Sequence, residues 1–183
     1  MNNEDIFKKH SHNPPHLFRG NAKYFITSST LGKFHYLKAE ETKFAIQTYL
    51  FKSFDNFDWK VEDWVILNNH YHVLADSPEN ALSLERVMNN FHRFSSIYLS
   101  KNGVELQKEK YFHNYWDTCV ADEESYSYMV NYIWYNPVKH GYIDRAEDWK
   151  FGSFFDKNKE EELNSELLMQ NDSKRKVKII DDF

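Results

Sequence analysis

Val65-Ile-Leu-Asn-Asn-His-Tyr-His-Val-Leu-Ala75 reads as the facing ends of two β-strands joined through Asn68-Asn69. Trp59 to Leu67 has strand composition, and His70 to Ala75 continues it beyond the two asparagines. Asparagine tolerates positive φ, which suits a two-residue hairpin turn and makes the two strands antiparallel neighbours. Successive strand side chains point to opposite faces, so His70 and His72 project from one face while Tyr71, Val73 and Ala75 project from the other.

Working outward, Tyr24 to Thr30 (YFITSST) is β-branched and aromatic and lies between Gly20-Asn21 and Gly32, a first strand. From Glu40 to about Phe54, Ile46, Tyr49, Leu50 and Phe54 recur at helical spacing. After Asp76-Ser77-Pro78, residues Leu84, Val87, Met88, Phe91, Phe94, Ser95 and Tyr98 form an amphipathic pattern ending near Asn102-Gly103. Tyr111 to Val120 is aromatic and ends in Thr-Cys-Val, a fourth strand. The expected class is α+β, a ferredoxin-like β-α-β-β-α-β antiparallel sheet with two helices on one face. A further helix can occupy the other face: Asp122 suits an N-cap, Glu123 and Glu124 suit the positive end of a helix dipole, and the pattern runs to Asn136 before Pro137.

The chain has 183 residues, 41% of them hydrophobic, enough for one cored domain. Aromatic residues make up 17% while Leu, Ile and Val are comparatively sparse, so much of the core must be built from rings. Residues 1–20 read as an N-terminal arm, 21–155 as the folded domain and 156–183 as a charged tail. One cysteine, Cys119, excludes an intramolecular disulfide and suits a reducing cytoplasm. No run approaches the length of a membrane helix, and no nucleotide-binding loop is present. With 23 basic and 28 acidic residues the formal net charge is -5, so a polyanion would have to be bound locally.

Two neutral imidazoles side by side on a strand can bind a divalent metal. An isolated His-x-His is more often a pair of solvated or hydrogen-bonded histidines, and a second copy, His10 and His12, falls where no strand is predicted. On the last helix, Tyr126, Met129, Val130 and Ile133 form the apolar stripe, while Tyr132 and Asn136 lie one turn apart on a different side, so a phenol and an amide can address one site. A half-exposed tyrosine and a helix-terminal asparagine would read the same way.

Taken together, these segments resemble a known family. Val65-Ile-Leu-Asn-Asn-His-Tyr-His-Val-Leu74 resembles the metal-binding strand of the HUH single-tyrosine transposases, in which U is a bulky apolar residue. Tyr132-Ile-Trp-Tyr-Asn-Pro-Val-Lys-His-Gly141, followed by Trp149 and Ser153-Phe154, resembles the helix of their REP-associated tyrosine transposase branch. The resemblance covers about Tyr24 to Phe154, and the departures are Tyr71 at U and Asn68 where many relatives have proline.

The resemblance implies that 21–155 is a catalytic domain whose added helix carries the nucleophile Tyr132, with His70, His72 and Asn136 as ligands of Mg²⁺ or Mn²⁺. It implies an enzyme that nicks and rejoins single-stranded DNA through a 5′-phosphotyrosine link, as in transposition, at a hairpin-forming target and as a monomer or homodimer. A domesticated hairpin-binding protein without productive cleavage is the alternative. Arg86, Arg93, Lys108, Lys110, Lys139, His140 and Arg145 are the cations near the site that could contact DNA phosphates.

Overall fold

The computed structural model describes residues 6–8 and 16–158, with side chains from Phe18 to Lys157. The elements are β1 (Ile6–Lys8), β2 (His16–Phe18), β3 (Lys23–Ser29), α1 (Glu40–Asp55), β4 (Lys60–Ile66), β5 (His70–Asp76), α2 (Leu84–Lys101), β6 (Trp116–Cys119), α3 (Glu123–Lys139) and α4 (Ser153–Asn158). β1 and β2 pair antiparallel inside the segment expected to be an arm. The main sheet has the order β4-β5-β3-β6 with every neighbouring pair antiparallel. Two β-α-β crossovers therefore interleave: β3 and β4 flank β5, and β5 and β6 flank β3.

The α+β class and the β-α-β-β-α-β order stand as expected. Alternation along the strands divides the core into two layers. Tyr24, Ile26, Trp64, Ile66, Tyr71, Val73 and Ala75 pack with Ile46, Leu50 and Phe54 of α1 and Leu84, Val87, Met88 and Phe91 of α2. Phe25, Val65, Leu67 and Leu74 pack on the opposite side with Met129, Val130, Ile133 and Trp134 of α3 and Phe154 of α4. Helix ends follow local chemistry: Asp122 accepts from Ser125 N at 2.8 Å at the start of α3, and Gly103 takes φ 74 just beyond α2.

Several local expectations need correction. The β4-β5 turn closes through Leu67 N donating to His70 O at 2.8 Å, yet neither Asn68 nor Asn69 is among the positive-φ residues. The turn is instead held from outside, because Leu37 N donates to Asn68 O and Thr30 N to Asn69 O. The fourth strand is shorter than expected: Tyr111 and Phe112 pack their rings into the core from a loop, and Tyr111 Oη donates to Val104 O at 2.6 Å. α3 does not stop at Asn136 but continues through Pro137 to Lys139, since the proline nitrogen withdraws one donor only from the final turn. Beyond it, Tyr142 N caps Pro137 O at 3.0 Å. The expected tail lies outside the described residues from position 159 onward, and α4 spans its expected boundary at 155–156. Among the described residues no helix is long and apolar enough to cross a membrane.

Candidate metal and tyrosine site

Cross-strand register assembles the first half of the site. His70 and His72 of β5 pair with Ser29 and Thr27 of β3, and both imidazoles emerge on the α3 side with their ring centroids 5.2 Å apart. α3 lies over them. Tyr132 meets His72 edge-on, ring centroids 5.0 Å apart at 82°, and Asn136 Oδ1 lies 3.0 Å from His70 Nε2. Phe25 forms the floor, stacking on His72 at 5.5 Å and touching Tyr132 edge-on at 6.0 Å. The structure thus brings together the four residues expected to act jointly.

The extra turn of α3 adds two groups. Lys139 Nζ lies 4.9 Å from the centre of the Tyr132 ring, and the His140 ring lies 4.8 Å from that of His70. Burial first, then the neighbouring His70, His140 and Lys139, hold the His72 pKa well below its ordinary value, so this ring stays neutral, the form that can ligate a cation.

The other cations do not join this cluster. Arg86 and Arg93 sit on α2, in the layer across the sheet, over the rings of Phe57 and Phe94. Lys108 and Lys110 are exposed in the α2-β6 loop, where Lys110 Nζ donates to Asn114 Oδ1 at 3.3 Å. Arg145 is paired with Glu147 and Asp148, which offset its charge.

Hydrogen bonding at His70 tests whether a metal suits the site. Asn69 Nδ2 donates to Lys33 O at 3.3 Å, turning Asn69 Oδ1 toward His70 Nδ1 at 2.7 Å. In the neutral ring Nδ1 then carries the proton, and Nε2 presents a lone pair to Asn136 Oδ1, also an acceptor. A cation between the two satisfies both; without one, the Asn136 amide must turn its nitrogen inward. Among the described residues no three His, Cys, Asp or Glu side chains group as metal ligands; by donor chemistry, two imidazoles and the Asn136 oxygen would suit a divalent ion with open positions.

Asn69 escaped the sequence reading, which treated it only as a turn residue. So did Asp63, fully buried beneath α3. Its signal was an acid in phase with the inward-facing Val65 and Leu67.

Comparison with known proteins places the chain in a family. The family model described as "Transposase IS200 like" matches residues 20–136, more than half of the chain, and the chain belongs to that family. A Haemophilus influenzae relative named among the REP-associated tyrosine transposases is 32% identical over 97 residues, covering 49% of this chain and 55% of the relative. The Escherichia coli REP-associated tyrosine transposase is 25% identical over 96 residues, 52% of this chain and 54% of that protein. The chain thus matches about half the length of these curated relatives. A solved REP-associated tyrosine transposase bound to a REP hairpin superposes with a TM-score of 0.65 at 18% identity, covering 75% of this chain and 79% of that one; this likeness concerns the fold.

Proposed function

We propose that this chain is a divalent-metal-dependent enzyme that nicks and rejoins single-stranded DNA at hairpin-forming targets, with Tyr132 as nucleophile. The observation that carries the reading is the convergence of Tyr132 and Asn136, one turn apart on α3, upon the histidine pair of β5. The unit that performs the reaction extends from residue 21 through Lys157, whose Nζ bonds Asp63 at 2.8 Å. Because α3 covers its own chain's histidines, a monomer suffices.

Tyr132 Oη would form a bond to phosphorus as the bond from phosphorus to the 3′ oxygen breaks, leaving a 5′-phosphotyrosine and a free 3′-hydroxyl. The phenol loses one proton and the leaving oxygen gains one, so no net proton is consumed. A 3′-hydroxyl can reverse the step without an external energy source, because the phosphodiester energy is retained in the tyrosine link. His70, His72 and Asn136 would hold Mg²⁺ or Mn²⁺, which when bound polarises the phosphoryl oxygens and offsets developing charge. Asn69 fixes the tautomer of His70, Phe25 fixes the plane of His72, and Lys139 supplies positive charge beside the phenol. The hairpin in the solved relative is the reason to expect a folded single strand, and the chain's net charge of -5 argues for recognition by shape and local contacts rather than bulk attraction.

The test is denaturing electrophoresis of the protein with labelled hairpin-bearing single-stranded DNA and Mn²⁺. A covalent band with the native chain, absent with Tyr132→Phe, is expected. Hairpin binding by the native chain without such a band would assign a binding protein instead, and a band with Tyr132→Phe would overturn the nucleophile.

A further inference from the structure

Asp63 is completely buried, yet none of the chemistry above uses it. Its Oδ1 accepts from Trp134 Nε1 at 2.7 Å and from Ser153 Oγ at 2.7 Å, and Lys157 Nζ lies 2.8 Å from both carboxylate oxygens. One carboxylate of β4 therefore ties down α3 and α4 together. The Trp134 indole is held on a second side by Phe154, stacked at 4.4 Å and 9°.

Asp63 faces α3 in phase with Val65 and Leu67, and β4 contains an irregularity just before it. Val61 pairs with Ala75 but Asp63 pairs with Leu74, a register shift that makes Glu62 the extra residue. Regular alternation would put Val61 on the α3 face with Asp63, whereas Val61 packs in the α1/α2 layer. The bulge re-aims Val61 and leaves the carboxylate in step with the α3-facing residues.

Trp134 lies midway between Tyr132 and Asn136. Helical residues advance by ~100° each, so Tyr132 and Asn136 share one flank of α3 and Trp134 occupies the other. Asp63 grips the second flank while His70 and His72 meet the first, and the two grips together set the roll of the helix about its axis. A roll of ~10° would move a phenolic oxygen by more than ~1 Å, and an error of ~1 Å at a reacting atom can slow a step ~100-fold.

We infer that Asp63 is a positioning residue for Tyr132, acting through the Trp134 indole, while its ion pair with Lys157, whose Nζ also lies 5.4 Å from the Trp134 ring centre, docks α4. The inference rests on the proposed role of Tyr132 for its catalytic consequence, but the positioning itself can be read without activity.

Two variants separate the functions of the carboxylate. Trp134→Phe keeps a ring against Phe154 and keeps the ion pair but deletes the indole donor. Asp63→Asn keeps an oxygen for the indole but loses the ion pair. Trp134→Phe should lower the rate of adduct formation at saturating hairpin DNA at least ~10-fold, with DNA affinity within ~2-fold of native. It should also weaken the nuclear Overhauser contact between the Tyr132 and His72 ring protons. Asp63→Asn should melt at lower temperature yet retain that contact and most of the adduct rate. An unchanged Tyr132–His72 contact and rate in Trp134→Phe would overturn the inference; should Asp63→Asn not fold, Trp134→Phe alone decides. Absence of an adduct with the native chain would defeat the proposed chemistry instead, leaving the proton contact to judge the positioning.

Discussion

The two faces of β5 each pair a tyrosine with a histidine, and the pairs are built to opposite ends. On the α2 face, Tyr71 Oη bonds His92 Nε2 at 2.7 Å, and His92 stacks on Phe112 at 4.6 Å and 9°. Burial pushes the His92 pKa down to about 3, and it raises Tyr71 well above the ordinary phenol value. A neutral imidazole accepting from a neutral phenol is a closed arrangement, each group satisfying the other. On the α3 face, Tyr132 approaches the edge of the His72 ring, and His70 turns a nitrogen toward an amide oxygen. Polar groups that complete one another stabilise a core; on the α3 face the polar groups of Tyr132, Asn136 and His70 converge around His72 instead.

Breaking each tyrosine in turn gives the largest contrast. Tyr132→Phe should abolish the covalent adduct with labelled hairpin DNA while changing DNA affinity by no more than ~2-fold, because only the attacking oxygen is lost. Tyr71→Phe should still form the adduct. It should cost about 1–3 kcal/mol of stability, measured by urea denaturation, by leaving His92 Nε2 inside the core without its donor. Loss of the adduct in a folded Tyr71→Phe would erase the distinction between the faces.

Histidine substitutions probe the same contrast from the other partner. His72→Ala should weaken Mn²⁺ binding at least ~10-fold by calorimetry and remove metal-stimulated cleavage. His92→Gln should leave both intact, since glutamine can still accept from Tyr71 and the residue lies across the sheet. Equal metal affinity in native protein and His72→Ala would exclude the donor set.

How legible these faces were depended on whether one segment carried its own information. The alternation from His70 to Ala75 placed His70 and His72 on one face and Tyr71, Val73 and Ala75 on the other, as found, because period two is a property of a single strand. The i, i+4 spacing of Tyr132 and Asn136 was equally local. The sites that sequence obscured depend on another chain segment. His92 is an ordinary helix residue until Tyr71 and Phe112 close around it, and Asp63 is one more strand carboxylate until Trp134, Ser153 and Lys157 close around it. The Asn68-Asn69 turn was expected to adopt positive φ, whereas the backbone donors of Thr30 and Leu37 let it close otherwise. Lys139 and His140 were recognised as cations, but their place beside Tyr132 and His70 follows from a helix that passes through Pro137, contrary to the usual stop before proline.

Acid offers a milder way to open the closed face. His92 titrates near its ordinary value of 6.5 when unfolded but at about 3 when folded, so between these limits the unfolded chain binds the additional proton. Stability is therefore fully present above pH 6.5 and declines as pH falls toward 3. Between pH 7 and pH 5 the contribution of one such group is ~2 kcal/mol. Urea midpoints across this range should fall less steeply for His92→Gln than for the native chain; identical slopes would show that His92 is not held neutral by the fold.

The smallest effect lies in alkali and tests whether another enclosed polar group belongs with the closed face. Lys43 of α1 is 3% exposed, donates to Lys38 O at 2.8 Å and lies 5.5 and 5.4 Å from the Trp149 and Phe151 ring centres. Burial outweighs these contacts and lowers its pKa from 10.5 to about 8. Below pH 8 both states carry the proton, and the burial penalty is constant. Between about 8 and 10.5 the folded chain releases it first, so stability rises with pH. Tyr24, raised by burial to about 12, acts in the opposite sense only above the ordinary phenol value of 10, leaving the interval from 8 to 10 to Lys43. Between pH 8 and 9 urea midpoints should increase by the equivalent of roughly 1 kcal/mol, and the increase should vanish in Lys43→Met. If Lys43→Met keeps the same upward slope, the lysine is solvated in the folded chain, and its cation belongs with the exposed charges rather than with the enclosed polar groups of the α1/α2 side.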